Sequence, residues 1–220
     1  KDLEERFIGN AYMFTPEERK ALLKIRTNAP DPMAITKPFY DKVQDQDDVT
    51  KMQYLDLHMW MAGDILLKAD KMSMANSLEL RVPFLDKKVM ELAEQIPTRY
   101  RVTREAVTDE KTPYITKYAM RLAAKKDTPP QTAKTAAKKK LGFPVPIRIW
   151  LKEDGHYQTV KQAFTSPAAE QFFNTNELVR FLDEHRAGKK DNSRKIWTVY
   201  MFLVWYGVYF ADDAGQEAQA

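Results

Sequence analysis

The side chains best suited to chemistry lie in residues 63–86, where charged residues are interleaved with apolar ones throughout. On a helix that starts near Asp64, residues three and four apart are neighbours, so Asp64, Lys68 and Lys71 would share one face. A charged stripe beside an apolar one suits the wall of a cleft that holds a charged ligand. The same pattern is typical of an amphipathic helix with a solvated charged face, and the pattern alone favours that interpretation.

The end of this segment predicts a turn followed by a new helix. Pro83 disfavours the helical conformation at the residue before it, so we expect an extended or turning chain over residues 80–85. Asp86 is a typical N-cap and predicts the start of the next helix. We interpret Arg81 and Glu79 as structural residues, with a buried guanidinium paired with the nearby carboxylate.

A second basic region, the lysine run from Lys134 to Lys140, precedes Gly142 and Phe143. Its simplest interpretation is a solvated loop. Nucleic-acid binding is a weaker interpretation, because neither interleaved aromatic residues nor a groove-reading motif accompanies the lysines. We therefore predict no nucleic-acid partner.

Composition and length indicate a globular chain with mixed charge. The chain has 220 residues, a net charge of +4 and no cysteine. One domain is the default for this length. The lack of cysteine excludes disulfides and thiolate metal sites and suits a cytoplasmic location. The histidines have no metal-ligand spacing. We interpret His58 as a core residue or as one that supports a site residue from behind, His156 as a loop residue and His185 as a residue near a helix C-terminus.

Helical periodicity and helix-start signals dominate the chain, so the predicted fold class is mainly α. Threonine or serine caps followed by proline predict helix starts at Thr15–Pro16 and Ser166–Pro167. Other patterns predict helices over residues 47–58 and 89–96, a helix that starts at Thr112–Pro113, a helix that ends near Gly188, and a break at Asp127–Pro130.

Three other segments have weaker or different signals. The prolines between Pro30 and Pro38 predict a loop, and a weak alternation over residues 100–103 is the only strand signal. The apolar run from Ile196 to Phe210 is too short to span a membrane, which needs about 20 residues. We therefore expect a buried helix there and no membrane association.

Two blocks of this sequence resemble the glutamine-hydrolysing asparagine synthetases. Residues 63–86 resemble the block GDxLxKxDRxSMAxSLExRVPFLD, with Lys71 where arginine is common. Residues 138–151 resemble the block RxKxGFxxPxxxWL, in which Lys140 is the family's lysine and Lys138 stands where arginine is usual. A weaker match at residues 195–206 is similar to the helix that closes the synthetase domain. The resemblance runs from about Arg6 to Phe210.

Other features of that family are absent from the chain: a cysteine nucleophile, a Ser-Gly-Gly-x-Asp-Ser loop that cradles phosphates, and an acidic Gly-x-Asp-Glu-Leu-Phe-Gly-Gly segment. The resemblance therefore implies a C-terminal part of the synthetase domain over residues 1–210, followed by a disordered tail over residues 211–220. The implied fold is the helical C-terminal half of an adenine-nucleotide alpha-hydrolase-like (ATP pyrophosphatase) domain, without its parallel-sheet half.

The resemblance also implies a reaction. The full-length enzyme activates the side-chain carboxylate of aspartate with ATP, which forms β-aspartyl-AMP and pyrophosphate, and ammonia released from glutamine attacks the acyl-adenylate. Lys140 is the implied catalytic residue, because a fixed cation stabilises charge that develops on phosphoryl oxygens. Gly142 and Phe143 are implied structural neighbours of that lysine, and the resemblance implies that the lysine run beside them is an anion-binding loop.

The remaining candidates have an open alternative. Asp64, Lys68 and Asp70 are candidates for the cleft that binds aspartate and nucleotide, and a salt-bridge lattice between helices is the alternative. Mg²⁺ would accompany ATP in the full-length enzyme, with its carboxylate ligands upstream of Lys1. We expect the chain alone to bind no cofactor and to be inactive.

Two other functions remain open. The chain could belong to another acyl-adenylating ligase of the same superfamily, similar to the β-lactam synthetases, or to a non-catalytic helical scaffold. The implied partners are an N-terminal glutaminase domain, a nucleotide-binding half and the substrates aspartate and ATP. Without those domains, an exposed apolar face would favour self-association of the chain or lower its stability.

Overall fold

The computed structural model describes residues 2–9, 12–25, 28–104, 114–138 and 145–211. Helices dominate these ranges, which confirms the mainly α fold class. The chain divides into two compact units, the first formed by residues 1–11 and 30–141 and the second by residues 12–29 and 142–220. The assignment of residues 1–210 to one synthetase region stays a prediction, and the predicted tail lies outside the described residues except for Ala211.

The elements of the first unit interleave in sequence with those of the second. In chain order they are α1 (Leu3–Arg6), α2 (Pro16–Leu22), α3 (Pro32–Tyr40), α4 (Asp48–Leu55), α5 (Leu67–Ala75), α6 (Lys87–Glu94), α7 (Thr98–Arg101), β1 (Val102–Thr103), β2 (Ile115–Thr116), α8 (Tyr118–Asp127), α9 (Pro130–Ala137), α10 (Ile147–Trp150), α11 (Asp154–Phe164), α12 (Pro167–Phe172), α13 (Thr175–Arg186) and α14 (Ser193–Tyr206). Short 3₁₀ helices span Asp41–Val43 and Pro83–Leu85, and π-helical segments span Asp56–Leu66 and Gly207–Ala211.

The first unit is built on one helical run, in which α4, the π-helical segment and α5 follow one another without a break. The run begins at Asp48, because the Asp47 carboxylate caps it by accepting hydrogen bonds from the amides of Val49 (3.0 Å) and Thr50 (3.2 Å). The prediction of a helix start near Asp64 is therefore wrong. No proline interrupts the run, and Gly63 is tolerated within it.

The predicted loop between Pro30 and Pro38 is also wrong, since α3 occupies most of it. The Asp31 carboxylate accepts a hydrogen bond from the amide of Met33 at 2.8 Å, and Pro32 fits the first helical position, where its missing N–H has no cost. The helix places Tyr40 in a small core with Leu3 and Leu55. Packing of Tyr40 thus favours a helix despite its internal proline.

The hairpin β1–β2 confirms the weak strand signal, with Val102 opposite Thr116 and Thr103 opposite Ile115. The predicted helix start at Thr112–Pro113 lies outside the described residues, and α8 begins only at Tyr118. Lys117, just before α8, has a left-handed φ of 56°, so the chain turns sharply from strand to helix there.

The second unit has a larger apolar core, formed where α11, α13 and α14 pack together. Its most deeply buried members are Phe164, Leu178, Leu182 and Ile196. The segment after α2 joins that after α12 through backbone hydrogen bonds: Lys24 donates to the carbonyl of Phe172 at 3.0 Å, and Asn174 donates to that of Leu22 at 2.8 Å.

Local signals set the helix ends of this unit as predicted. Thr15 forms a full capping box with Glu18, and Ser166 caps α12 through its hydroxyl. At the other end of α13, Gly188 has a φ of 72°, and the amide of Lys189 donates to the carbonyl of Glu184 at 2.9 Å. This is a Schellman ending, which favours glycine at the left-handed position.

The helix α14 is only half buried, so the prediction of a buried helix is correct for one of its faces. Ile196, Val199 and Leu203 face the core, whereas Met201 and Trp205 are exposed. No helix within the described part of the chain combines the length and apolar character that a membrane crossing requires.

Candidate functional site

The structure brings together two of the three predicted cleft residues. Asp64 and Lys68 lie one turn apart on the helical run, and the Lys68 ammonium donates to the Asp64 carboxylate at 3.4 Å. Both side chains keep solvent contact, with 42% of Asp64 and 61% of Lys68 exposed. The pair is therefore open to a ligand, and an ion pair this exposed contributes little to stability.

Asp70 does not join this pair. Two residues along a helix correspond to a rotation of roughly 200°, so Asp70 lies on a different side of α5 from Lys68. Its side chain is exposed, and its backbone carbonyl accepts a hydrogen bond from the Ser73 hydroxyl at 3.0 Å. One face of the helix thus offers a carboxylate beside an ammonium, and another offers a separate carboxylate.

The position of Asp64 depends on the π-helical segment, which the sequence analysis missed. Asp64 lies in the last turn of this segment, just before the regular α geometry resumes at Leu67. A π-helical turn has more residues than an α turn and shifts the side chains that follow it around the axis. The apolar pattern of residues 56–66 fits either geometry, so it contains no signal that would distinguish them.

The turn after α5 follows its prediction, but the burial expected for Arg81 is wrong. The Arg81 guanidinium pairs with the Glu79 carboxylate, as expected from their proximity in sequence. However, 83% of the Arg81 side chain and 73% of the Glu79 side chain are exposed, so the guanidinium is not buried. Asp86 caps α6 by accepting a hydrogen bond from the amide of Lys88 at 2.9 Å, which confirms that prediction.

Residues 67–92 also present an extensive apolar surface, which we call the apolar face. Its members are large apolar side chains that are more than a third exposed: Leu67, Met72, Met74, Leu78, Leu80, Val82, Phe84, Val89 and Leu92. Exposed large apolar side chains concentrated in one segment are typical of a contact site for another protein segment. The face belongs to the same segment as the Asp64–Lys68 pair.

The predicted catalytic residue Lys140 lies outside the described residues, together with Gly142 and Phe143. The structure describes the chain up to Lys138, whose amide donates to the carbonyl of Thr135 at 3.1 Å at the end of α9. The three assignments stay predictions.

Asp56 is a candidate that the sequence analysis missed. It opens the π-helical segment, and its Oδ1 atom is buried with no hydrogen-bond partner among the described residues. Burial raises the pKa of the Asp56 carboxyl above its ordinary value near 3.8. Carboxylates kept in surroundings that penalise their charge are concentrated at functional sites. The sequence signal that could have identified Asp56 is the presence of an acidic residue inside the largely apolar run from Leu55 to Met61.

Two of the three histidines differ from their predicted environments. His58 is exposed and its ring packs at a tilt against that of Tyr54, with centroids 4.1 Å apart, so it is not a core residue. His156 lies within the helix α11 and not in a loop.

His185 is near a helix C-terminus as predicted, but it is also buried. The amide of Asn192 lies 3.3 Å from its Nδ1 atom, and the carbonyl of Arg148 lies 3.0 Å from its Nε2 atom. The amide can only donate and the carbonyl can only accept, so Nε2 carries the proton in this arrangement. His185 therefore joins the loop before α14 to α10.

The described residues contain no cluster of three or more His, Cys, Asp or Glu side chains that could hold a metal ion. Two open grooves of about 270 Å³ and 210 Å³ lie beside the start of α14. Arg194 lines both, and neither includes a residue predicted for the cleft.

Comparison with known proteins places this mainly helical chain in a family of ligases. A model of the family described as asparagine synthase matches residues 3–207, and the chain therefore belongs to the asparagine synthase family. No solved structure is significantly similar to the chain.

The curated relatives agree with the family match. The chain is 43% identical over 206 residues to the Bacillus subtilis protein named asparagine synthetase [glutamine-hydrolyzing] 1. It is 39% identical over 207 residues to putative asparagine synthetases [glutamine-hydrolyzing] of Mycobacterium bovis and Mycobacterium tuberculosis. These matches cover 94% of this chain but only 30% of the relatives.

Proposed function

We propose that the chain forms the C-terminal part of the synthetase region of an ATP-dependent, glutamine-hydrolysing asparagine synthetase. In this reaction the side-chain carboxylate of aspartate attacks the α-phosphorus of ATP and displaces pyrophosphate. Ammonia then attacks the acyl carbon of β-aspartyl-AMP, which gives asparagine and AMP. The observation that carries the proposal is the family match over residues 3–207, with 43% identity to a relative of that name.

Within this proposal, Lys140 neutralises the charge that develops on the phosphoryl oxygens of ATP. A lysine ammonium is a compact point charge that can neutralise a leaving pyrophosphate without the bidentate geometry that an arginine fork provides. Gly142 and Phe143 support the chain that follows it. The exposed Asp64–Lys68 pair supports a role in the cleft for aspartate and nucleotide. The two side chains now pair with each other, and each could exchange that contact for one with a charged group of the ligand.

Asp70 has a different place in the proposal. It lies on another side of α5, so it would contact a different part of the ligand from the Asp64–Lys68 pair or serve only the fold. The apolar face of residues 67–92 supports contact with the nucleotide-binding half, which would be the parallel-sheet part of an adenine-nucleotide alpha-hydrolase-like domain.

A magnesium ion would accompany ATP in the full-length protein, but the described residues do not fit a site for it. Mg²⁺ needs oxygen ligands in octahedral array, and no acidic cluster of that kind lies in the described ranges. We therefore assign no step of the reaction to a metal held by the described residues.

The test is aspartate-dependent exchange between ATP and pyrophosphate, with ammonia left out, on the full-length protein. Exchange isolates formation of the acyl-adenylate. We expect Lys140→Ala to lower the exchange rate roughly 100-fold or more, the scale for removal of a group that stabilises transition-state charge. Lys125→Ala, which removes an exposed lysine from α8, is the matched control and should leave the rate unchanged.

Each other outcome selects a different function. Exchange that depends on another carboxylate would indicate another acyl-adenylating ligase, such as one similar to the β-lactam synthetases. Absence of exchange with every carboxylate would indicate a scaffold. Normal exchange in Lys140→Ala would contradict the role of Lys140 while leaving the reaction in place.

A further inference from the structure

The helices α8 and α9, with the short strand before them, form a strongly basic part of the first unit. Residues 114–138, which we call the basic hairpin, contain six basic side chains and one acidic side chain, so their net charge is +5. The whole chain has 35 basic and 31 acidic side chains and a net charge of +4, so the residues outside the basic hairpin sum to −1. The whole excess of positive charge in this chain therefore lies in the basic hairpin.

The lysines of the basic hairpin are open to solvent. All five are exposed, and none pairs with a carboxylate among the described residues: Lys117, Lys125, Lys126, Lys134 and Lys138. Elsewhere in the first unit some lysines do pair, as Lys37 does with Asp41 at 2.5 Å and Lys68 does with Asp64 at 3.4 Å. The charge of the basic hairpin is thus not neutralised by acidic side chains within the described ranges.

Helix stability accounts for only part of this charge. Lys125 and Lys126 lie in the last turn of α8, and Lys134 lies in the last turn of α9, where a cation interacts favourably with the helix dipole. That effect does not apply to Lys117, which precedes α8. It also does not explain why Asp127 is the only acidic residue among six basic ones.

The two helices are joined by Arg121, so their lysines belong to one fixed surface. The Arg121 guanidinium donates through Nε to the carbonyl of Thr116 at 3.0 Å and through Nη1 to the carbonyl of Lys138 at 3.1 Å and to that of Ala136. These contacts cap the end of α9 from the side of α8. The charges of both helices therefore add to one electrostatic field.

The basic hairpin is attached to the helical run that presents the Asp64–Lys68 pair. Its helix α8 packs against α7, and Arg101 of α7 donates to the side chains of Thr50 at 2.7 Å and Gln53 at 2.6 Å on α4. Since a helix rises about 1.5 Å per residue, Asp64 lies roughly 20 Å along the same run from Thr50. Charges act over about 8 Å at physiological salt and about 30 Å at 0.01 M, so the field of the basic hairpin can reach this region.

We propose that the basic hairpin is an electrostatic guide that draws ATP toward the cleft of the Asp64–Lys68 pair. The proposal rests on the function proposed above, in which ATP is a substrate and pyrophosphate a product. Both are polyanions, whereas aspartate has a single net negative charge at pH 7, so the guide favours the phosphate compounds. Its lysines contact no reacting group and act by raising the rate at which the nucleotide reaches the cleft.

The direct test measures the association rate of a fluorescent N-methylanthraniloyl derivative of ATP with the full-length protein by stopped flow. The variant combines Lys117→Gln, Lys126→Gln and Lys134→Gln. We expect its association rate to be lower than that of the wild type by about tenfold at about 0.02 M salt, by about twofold at about 0.15 M, and by nothing measurable at about 0.5 M, because salt screens the field.

The matched control combines Lys20→Gln, Lys42→Gln and Lys189→Gln, which removes the same charge from exposed lysines outside the basic hairpin. Its association rate should stay close to that of the wild type at each salt concentration. If the hairpin variant does not fold, the double variant Lys126→Gln with Lys134→Gln serves in its place, with an effect of the same sign.

Steady-state ATP–pyrophosphate exchange gives a second readout that a structural defect would not reproduce. At low salt the hairpin variant should have a raised KM for ATP and for pyrophosphate, a nearly unchanged KM for aspartate and an unchanged kcat. Rates at saturating ATP should be unaffected, also in Lys125→Ala, because steering acts before the reacting groups meet. A structural defect would instead lower kcat and alter all three KM values.

The outcomes separate this inference from the proposed function. An unchanged association rate in the hairpin variant, a loss that persists at about 0.5 M salt, or an equal loss in the control would each overturn the guide. So would loss of single-stranded oligonucleotide binding with unchanged ATP association, which would identify nucleic acid as the partner. Slower, salt-dependent ATP association in a protein that shows no aspartate-dependent exchange would support the guide and contradict the proposed function.

Discussion

At the scale of single residues, Asp56 is a side chain whose burial lowers the stability of the fold. Its Oδ1 atom is buried without a partner among the described residues, and the neighbouring Tyr40 belongs to the small core of the first unit. Burial raises the pKa of the Asp56 carboxyl. Burial also raises the pKa of the Tyr40 hydroxyl, and the nearby negative charges of Glu4 and Asp56 raise it further. Such a carboxylate lowers stability whenever it is ionised.

We predict that Asp56→Asn raises the free energy of unfolding at pH 7 by up to about 1 kcal/mol, since partial exposure discounts the roughly 1–3 kcal/mol cost of an unsatisfied buried group. The folded-state pKa lies above the unfolded one, so the penalty is present above the raised pKa and vanishes as the pH falls below about 3.8. Urea unfolding at several pH values measures the difference between the two proteins.

The control for this prediction is Asp45→Asn, which changes an exposed acid close in sequence. It should alter stability by less than about 0.5 kcal/mol at every pH. A loss of stability in Asp56→Asn at pH 7 would mean that the ionised carboxylate has a stabilising partner.

At the scale of elements, α2 and α14 are joined by a charged contact at their first turns. The Lys195 ammonium pairs with the Glu18 carboxylate and lies 5.7 Å and 5.6 Å from the ring centroids of Phe14 and Phe181. Partial burial would raise the pKa of Glu18, but hydrogen bonds from Lys195 and the Thr15 amide outweigh it and lower that pKa below its ordinary value near 4.5. The pair therefore stabilises the folded state when Glu18 is ionised.

We predict that Lys195→Met lowers the free energy of unfolding by about 1–2 kcal/mol at pH 7, between the values for exposed and fully buried ion pairs. Because the folded-state pKa of Glu18 is lowered, this contribution is present above about pH 4.5 and is lost as the pH falls through the folded-state pKa. The difference between the wild type and the variant in urea unfolding should therefore shrink in acid.

Lys190→Met is a matched control, since Lys190 contacts the same carboxylate at 3.4 Å but is 56% exposed. Its cost should stay below about 0.5 kcal/mol. Equal costs for the two lysines would show that burial of Lys195 does not strengthen its contact.

At the scale of the whole molecule, the chain combines a well-buried core in the second unit with an uncovered apolar face in the first. It spans 30% of the length of the relatives that it matches. Exposed apolar surface of this extent favours association when nothing covers it.

We predict that the 220-residue chain self-associates in solution through the apolar face. Light scattering after size-exclusion chromatography should give a mass above that of a monomer at micromolar concentration. Phe84→Asp, which places a charge on the most exposed residue of the face, should lower that mass. Ile35→Asp, an exposed apolar position on α3, is the control and should leave it unchanged. A monomeric mass at micromolar concentration, or a mass that Phe84→Asp leaves unchanged, would contradict the prediction.

The sequence by itself determined the local features of this protein. The caps at Thr15, Asp86 and Ser166, the break at Asp127–Pro130 and the contact between Asp64 and Lys68 were all predictable. Each depends on groups no more than four residues apart, whose geometry follows from helix periodicity and side-chain chemistry. The two family blocks were recognisable for the same reason, because they are continuous stretches of chain.

Only the tertiary structure decided which side chains are buried and which distant groups meet. It exposes Arg81 and His58, buries His185 and converts the expected loop before Tyr40 into a helix. It also brings the carbonyls of Thr116, Ala136 and Lys138 to one guanidinium. These outcomes depend on packing between residues far apart in sequence, and the free energy of that packing overrides local preferences that differ by only about 1 kcal/mol.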